Sequence, residues 1–480
     1  MISPLPASET SVEREGDAHS AYLWLAAVAG ALGGLLFGYD WVVIGGAKPF
    51  YEIYFHLDRP ELQGWAMSCA LIGCLIGAVS SGSLSNALGR KRLLTLAATV
   101  FAISSAGTGL ASGFGVFVAW RMLGGYAIGL ASGISPMYIA EISPARLRGR
   151  LVSLNQMAIV CGILLAQVAN WLIARPVPAG ATAQQILVSW NGQWGWRWMF
   201  GVTAIPSLLF LAATFLVPES PRWLASKGRD AEALRALERL GGAEYARRVL
   251  REFKDVSGEQ PGGTAWRELF APGMGKVLLL GVLLAVLQQW CGINVIFNYA
   301  QEIFAAAGYQ LSGILFDIVI TGAVNVAFTI VALAAIDRFG RRFLMLTGTS
   351  GLALIYVVLG AFYHLHLHGA PMLVLVLAAI ACFAMSLAPV TWVVIAEIFP
   401  NRIRAGAMSI SVAALWMACF VLTYTFPFMN AGLGAAGSFW TFAVICLAGL
   451  LYLYVWLPET KGKTLEEIEA SIRAGKLQEE

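Results

Sequence analysis

Ala140-Glu141-Ile142-Ser143-Pro144-Ala145-Arg146-Leu147-Arg148-Gly149 returns, altered, as Ala396-Glu397-Ile398-Phe399-Pro400-Asn401-Arg402-Ile403-Arg404-Ala405. Each copy closes a long apolar run and sets an Arg seven positions after a Glu. Two more echoes keep the same order along the chain. Leu88-Gly89-Arg90-Lys91 is answered by Phe339-Gly340-Arg341-Arg342, and Val217-Pro218-Glu219-Ser220 by Leu457-Pro458-Glu459-Thr460. A duplicated membrane bundle with charges gathered on one side is the plan of a two-lobed transporter. It points to moving a solute rather than transforming one.

Composition agrees. The 480 residues are 58% hydrophobic and 12% charged, with mean hydropathy +0.71, which excludes an ordinary soluble domain. A bilayer core demands apolar segments of about 20 residues, and about twelve can be read along the chain. They lie near 22–47, 61–86, 91–112, 115–140, 150–174, 196–217, 275–306, 311–336, 343–365, 370–397, 404–429 and 435–457. The fold class expected is an all-α membrane protein of twelve transmembrane helices in two pseudo-symmetric lobes. Residues 20–217 form the first six-helix lobe and 276–457 the second. Between them, 218–275 reads as a linker with amphipathic helices over Asp230 to Leu240 and Glu244 to Val256. Polar tails occupy 1–19 and 458–480, with a short helix over Thr464 to Ile472. The first apolar run is too long for a cleaved signal peptide.

The placement of charge says more than its +4 sum. Arg90, Lys91 and Arg92, then Arg146, Arg148 and Arg150, then Arg338, Arg341 and Arg342, then Arg402 and Arg404 fall in alternate loops. The opposite loops carry Lys48, Arg59, Arg175 and Arg197. The positive-inside rule therefore puts both termini in the cytoplasm of a plasma (inner) membrane protein. Topology accounts for the basic residues, so nucleic acid is not an expected partner; the lipid bilayer is. Cys69, Cys74, Cys161, Cys291, Cys382, Cys419 and Cys446 lie inside apolar segments, where free thiols are expected rather than a disulfide framework.

With these repeats in place, the chain resembles the sugar porter family of the major facilitator superfamily from about Gly33 to Glu466. The resemblance rests jointly on Gly-Gly-Leu-Leu-Phe-Gly-Tyr-Asp at 33–40, Pro-Glu-Ser-Pro-Arg-Trp-Leu at 218–224 and Gln-Gln-Trp-Cys-Gly-Ile-Asn at 288–294. Asp-Arg-Phe-Gly-Arg-Arg at 337–342 and Pro-Glu-Thr-Lys-Gly at 458–462 complete it. It implies two lobes rocking around a central monosaccharide site; no cofactor is expected, and a monomer is expected because each lobe pair already encloses its own site.

Asp40 ends up within the first apolar segment and Arg121 within the fourth. A charge at bilayer depth costs ~2.5–3.5 kcal/mol or more, so each needs the other. One reading is a fixed ion pair tying helices together. The other is proton coupling: burial favours the neutral acid and a guanidinium beside it favours the charged one, so moving Arg121 loads or releases a proton. The resemblance implies the second, with Asp40 as proton acceptor and Arg121 as its modulator. Asp317 is another intramembrane acid, read as a wet residue near a helix end rather than a second titrating site. At the helix ends, the resemblance implies that Glu141, Arg148, Glu219, Arg222, Asp337, Arg338, Arg341, Glu397 and Arg404 form a cytoplasmic gate. Plain topology anchoring is the alternative, which explains the basic residues but not the repeated carboxylates. Single surface pairs contribute ~0–1 kcal/mol, but a network formed in one state only biases a two-state equilibrium. Asn86 and Ala87 break the first-half copy of the Asp337-Arg338 pair.

Buried amides need partners, and several fall mid-segment: Gln156, Gln288, Gln289, Asn294 and Asn325. An amide offers both donors and an acceptor to sugar hydroxyls, and Gly292 loosens the seventh helix beside Asn294. Trp392 and Trp416 supply apolar faces for the C–H side of a pyranose. Taken singly, each amide reads as an interhelical bond, worth ~0.6 kcal/mol. Taken together at positions matching the family's sugar contacts, the five read as a substrate site. Ile163, Leu415, Asn298 and Trp41 stand where relatives carry other residues, and losing polar contacts should alter selectivity. An apolar Ile163 is similar to the glucose facilitators, which leaves the substrate open between hexose and pentose with a hexose slightly preferred. His364, His366 and His368 alternate in a loop without thiol or acid ligands, so no metal is expected. Proton-coupled sugar symport is the first reading, with a passive uniporter and a non-transporting sugar sensor as alternatives.

Overall fold

The computed structural model describes residues 17–459, except 145, 179, 258–273, 307, 309–310, 368 and 400–403. Those described are helical, without a strand. Ten of their helices are long and apolar enough to cross a membrane. One of these, Arg404–Trp456, is two spans end to end, because Gly434 at φ 68° breaks it. A twelfth span is Arg90–Gly109, 20 residues long, whose opening Arg90, Lys91 and Arg92 lower its hydropathy without shortening it.

The first six spans are α1 Asp17–Tyr54, α2 Pro60–Leu88, α3 Arg90–Gly109, α4 Phe114–Ile142, α5 Arg148–Ile173 and α6 Asn191–Leu216. The second six are α7 Met274–Asn298, α8 Leu311–Phe339, α9 Arg341–His364, α10 over 370–398, α11 over 404–433 and α12 over 435–456. Between the sets, Asp230–Ser257 is helical on both sides of Gly242, whose φ of 86° makes the joint expected at the glycine pair. The helix expected over Thr464 to Ile472 lies outside the described residues.

Two spans differ from their sequence expectation in an instructive way. The first was expected to stop near residue 47 but runs on to Tyr54. Lys48 and Glu52 pair one turn apart and turn inward, so they extend the helix instead of ending it. The seventh is not continuous to 306. It pauses at Gly292, at φ 87° in the left-handed region, and ends at Asn298, before a separate helix Ala300–Ala306.

Small residues set how closely helices approach. A Cβ on Gly73 or Gly77 of α2 would run into the carbonyls of Met122 and Tyr126, and one on Gly125 or Gly129 of α4 into those of Ala70 and Cys74. These paired glycines are a helix-packing device. The lobes meet along α2 with α11, α5 with α8, and α1 with the end of α7. Outside, large apolar side chains such as Val79 at 62% and Leu451 at 68% exposure form the surface that lipid would cover.

Candidate functional site

At the centre of the first lobe, Arg121 Nη1 donates to Asp40 Oδ1 at 2.6 Å, and the two residues are 4% and 5% exposed. The guanidinium also lies 5.3 Å from the Phe200 ring. The pair is single-pronged: Asp40 Oδ2 and Arg121 Nε are buried without a partner. A buried carboxylate oxygen with no donor is costly.

The second lobe answers with neutral polar groups. Gln288 Nε2 donates to the carbonyls of Leu387 and Ala388, at 3.0 and 3.1 Å, where α10 is interrupted at Ser386. Its Oε1 accepts from Gln289 Nε2 at 3.3 Å, and Gln289 Oε1 accepts from Asn294 Nδ2 at 2.5 Å. The break at Gly292 is what lets Asn294 reach back to Gln289, so the loosened backbone and the amide chain are one feature. Trp416, on α11, meets Phe37 and Trp41 of α1 at ring-centroid distances of 5.6 and 6.0 Å. Thus an aromatic contact crosses between the lobes one residue from Asp40.

The other expected contacts are less concentrated. Asn325 is buried on α8, while Gln156 on α5 and Trp392 on α10 are partly buried. The hydrogen bonds and ring contacts described join none of these three to the amide chain. Gln167 was missed in the sequence. It is 1% exposed, donates to Thr321 Oγ1 at 3.3 Å across the α5–α8 seam, and leaves its Oε1 unpartnered. Gln156, Ile163 and Gln167 share one face of α5 by helical spacing, the signal that would have found it.

At the basic end Glu141 takes a partner other than the arginine seven positions on. Arg90 grips Glu141 with two bonds of 2.9 Å, Nε to Oε2 and Nη2 to Oε1, and Ser220 Oγ donates to the same Oε2 at 2.6 Å. Glu219 Oε1 accepts the backbone N–H groups of Arg90 and Lys91 at 2.8 and 3.0 Å, capping α3. The second lobe repeats the device: Arg341 Nη2 donates to Glu397 Oε1 at 3.2 Å, and Glu459 accepts the N–H groups of Arg341 and Arg342. Arg90, read in the sequence as a topology signal, is therefore the partner of Glu141. Arg148, Arg222 and Arg338 are exposed, and the side chains of Asp337 and Arg404 lie outside the described residues. Both ion pairs described here stay within one lobe, because Gly89 and Gly340, at φ 94° and 90°, turn each arginine back onto its own bundle. Asp317 is partly exposed in the second turn of α8, in keeping with a wet residue. All seven cysteines are free thiols.

A family model described as sugar (and other) transporter matches residues 26–471. The chain belongs to the sugar porter family of the major facilitator superfamily. It is 39% identical over 485 residues to the D-xylose-proton symporter of Escherichia coli K12, covering 94% of this chain and 96% of that one. Its identity to the arabinose-proton symporter of Bacillus subtilis 168 is 38% over 450 residues, covering 93% and 94%. The inward-open structure of the xylose transporter of E. coli superposes with a TM-score of 0.81 at 36% identity, covering 93% of this chain and 99% of that one. This sugar porter is thus an integral membrane transporter and not an enzyme.

Proposed function

We propose that this sugar porter is a proton-coupled monosaccharide symporter working by alternating access, with Asp40 as proton acceptor and Arg121 as the group that modulates it. The observation that carries the reading is the buried, one-pronged Asp40–Arg121 pair with its free carboxylate oxygen. Protonating Asp40 removes the charge that holds Arg121, so the two helices bearing them can separate; deprotonation restores the hold. One proton crossing 100 mV supplies ~2.3 kcal/mol, before any pH gradient is added.

Gln288, Gln289, Asn294 and Trp416, with Gln156, Asn325 and Trp392 from neighbouring helices, form the sugar site. The bound sugar exchanges the amides' internal hydrogen bonds for bonds to its hydroxyls. A hexose or a pentose fits this chemistry, and relatives that are symporters of D-xylose, arabinose and galactose support a monosaccharide. The lobes are residues 20–217 and 276–457, joined by the linker 218–275. The basic end faces the cytoplasm of the inner membrane, both termini are cytoplasmic, and the chain acts as a monomer in lipid. The cytoplasmic gate is built on Glu141, Glu219, Glu397 and their arginines.

A passive uniporter is the competing reading, favoured by the apolar Ile163 on the substrate-facing side of α5 and treating Asp40–Arg121 as a fixed tie. Tracer accumulation in proteoliposomes separates the two. With an inward proton gradient, the symporter concentrates sugar above the external level, whereas a uniporter stops at equality.

A further inference from the structure

Lys48 of α1 stands between two carboxylates that belong to different lobes. Its Nζ lies 2.9 Å from Glu52 Oε2, one turn along the same helix. It also pairs with Glu302 Oε1, in Ala300–Ala306 beyond the end of α7. Lys48 is 4% exposed, so water screens this pairing little. The ammonium sits 5.5 Å from the centre of the Tyr299 ring. The remaining titratable groups facing the cluster are Tyr51 and Tyr299, and their hydroxyls are committed elsewhere, to Met67 Sδ and the Thr423 carbonyl. Glu52 Oε1 and Glu302 Oε2 are buried without a partner. One ammonium thus faces two carboxyl groups.

This cluster lies at the end of the molecule opposite Arg90 and Arg341, and unlike the two ion pairs described there it crosses from lobe to lobe. We infer that Lys48, Glu52 and Glu302 are a partner-exchange latch on the outer gate: Glu302 holds Lys48 while that gate is shut, and Glu52 keeps it when the lobes part. The inference rests on the alternating-access reading above. A buried ammonium left alone is heavily penalised. Glu52 travels with Lys48 on α1, so opening never leaves the cation bare. Only the Glu302 contact differs between states, and only such a difference shifts the equilibrium.

Two neutral substitutions around one lysine should then act in opposite directions. Glu302→Gln removes the closed-state contact alone and favours opening. Glu52→Gln leaves Lys48 with Glu302 as its partner when the gate is shut and with none when the lobes part, so it favours closure. An ion pair with a merely structural role would be weakened by both.

The test is the distance between spin labels at Asp58 and Leu367, exposed residues at this end of the first and second lobes. It uses the full chain, otherwise cysteine-free, in lipid nanodiscs without sugar or a proton gradient. The expected result is a rise of roughly tenfold in the ratio of long to short distances for Glu302→Gln, and a fall for Glu52→Gln. The exchange Lys48→Glu with Glu302→Lys, which keeps one ammonium between two carboxylates, should retain the short distance. Shifts in the same direction, or none in either variant, would overturn the latch. Neither sugar nor protons enter the readout, so a failure of the symport reading would show separately, in transport.

Discussion

In the first lobe the centre of the bundle holds a charged pair, Asp40 with Arg121; in the second it holds a chain of amides, Gln288, Gln289 and Asn294. At their basic ends the same two lobes are near copies. Each has an Arg just after a left-handed Gly, bound to a Glu at the end of a neighbouring span, with a second Glu capping the helix. Under the proposed symport, the repeat is kept where both lobes do the same mechanical work and lost where their work differs. A charge that changes state suits a proton, and neutral donors and acceptors suit hydroxyls. An aromatic bridge from Trp41 to Trp416 crosses between the lobes beside Asp40. Under the proposed symport, this bridge is the path by which sugar on one side is felt beside Asp40 on the other.

The sharpest way to break this division of labour is Asp40→Asn. Uphill accumulation should fall to equality across the membrane while sugar binding persists; accumulation that survives would show that the first lobe does not carry the proton. Next comes the converse substitution in the other lobe. Gln288→Ala should weaken sugar binding by about 1–3 kcal/mol, by loss of hydrogen bonds to a buried ligand. Isothermal titration checks this, and the protons moved per sugar should stay unchanged. An altered ratio would mean that the two centres are not separate functions. A smaller effect is expected at the bridge: Trp41→Thr removes one ring of the cross-lobe contact and should cost about 0.5–1.5 kcal/mol in sugar affinity. No change in affinity would leave Trp41 outside the path between the centres.

Much of the fold was legible in the sequence, because twelve apolar runs and three repeated motifs leave few architectures open. Asp40 and Arg121 were legible for a similar reason: two opposite charges at bilayer depth must find each other. What the sequence concealed were partners chosen by geometry. The spacing of Glu141 and Arg148 suggested a pair, yet Gly89 aims Arg90 at Glu141 instead, and Arg148 stays exposed. Lys48 and Glu52 looked like the end of a span, and only the approach of Glu302 from the other lobe makes them part of a buried cluster. Gln167 went unnoticed because its partner, Thr321, lies far along the chain on another helix.

The most direct test of the central claim is the external pH of lightly buffered proteoliposomes as individual hexoses and pentoses are added. The account predicts alkalinisation with at least one sugar and none with the same sugar in Asp40→Asn. Entry of labelled sugar into vesicles of the unaltered protein, with no change in pH, would contradict it and make the Asp40–Arg121 pair a structural tie.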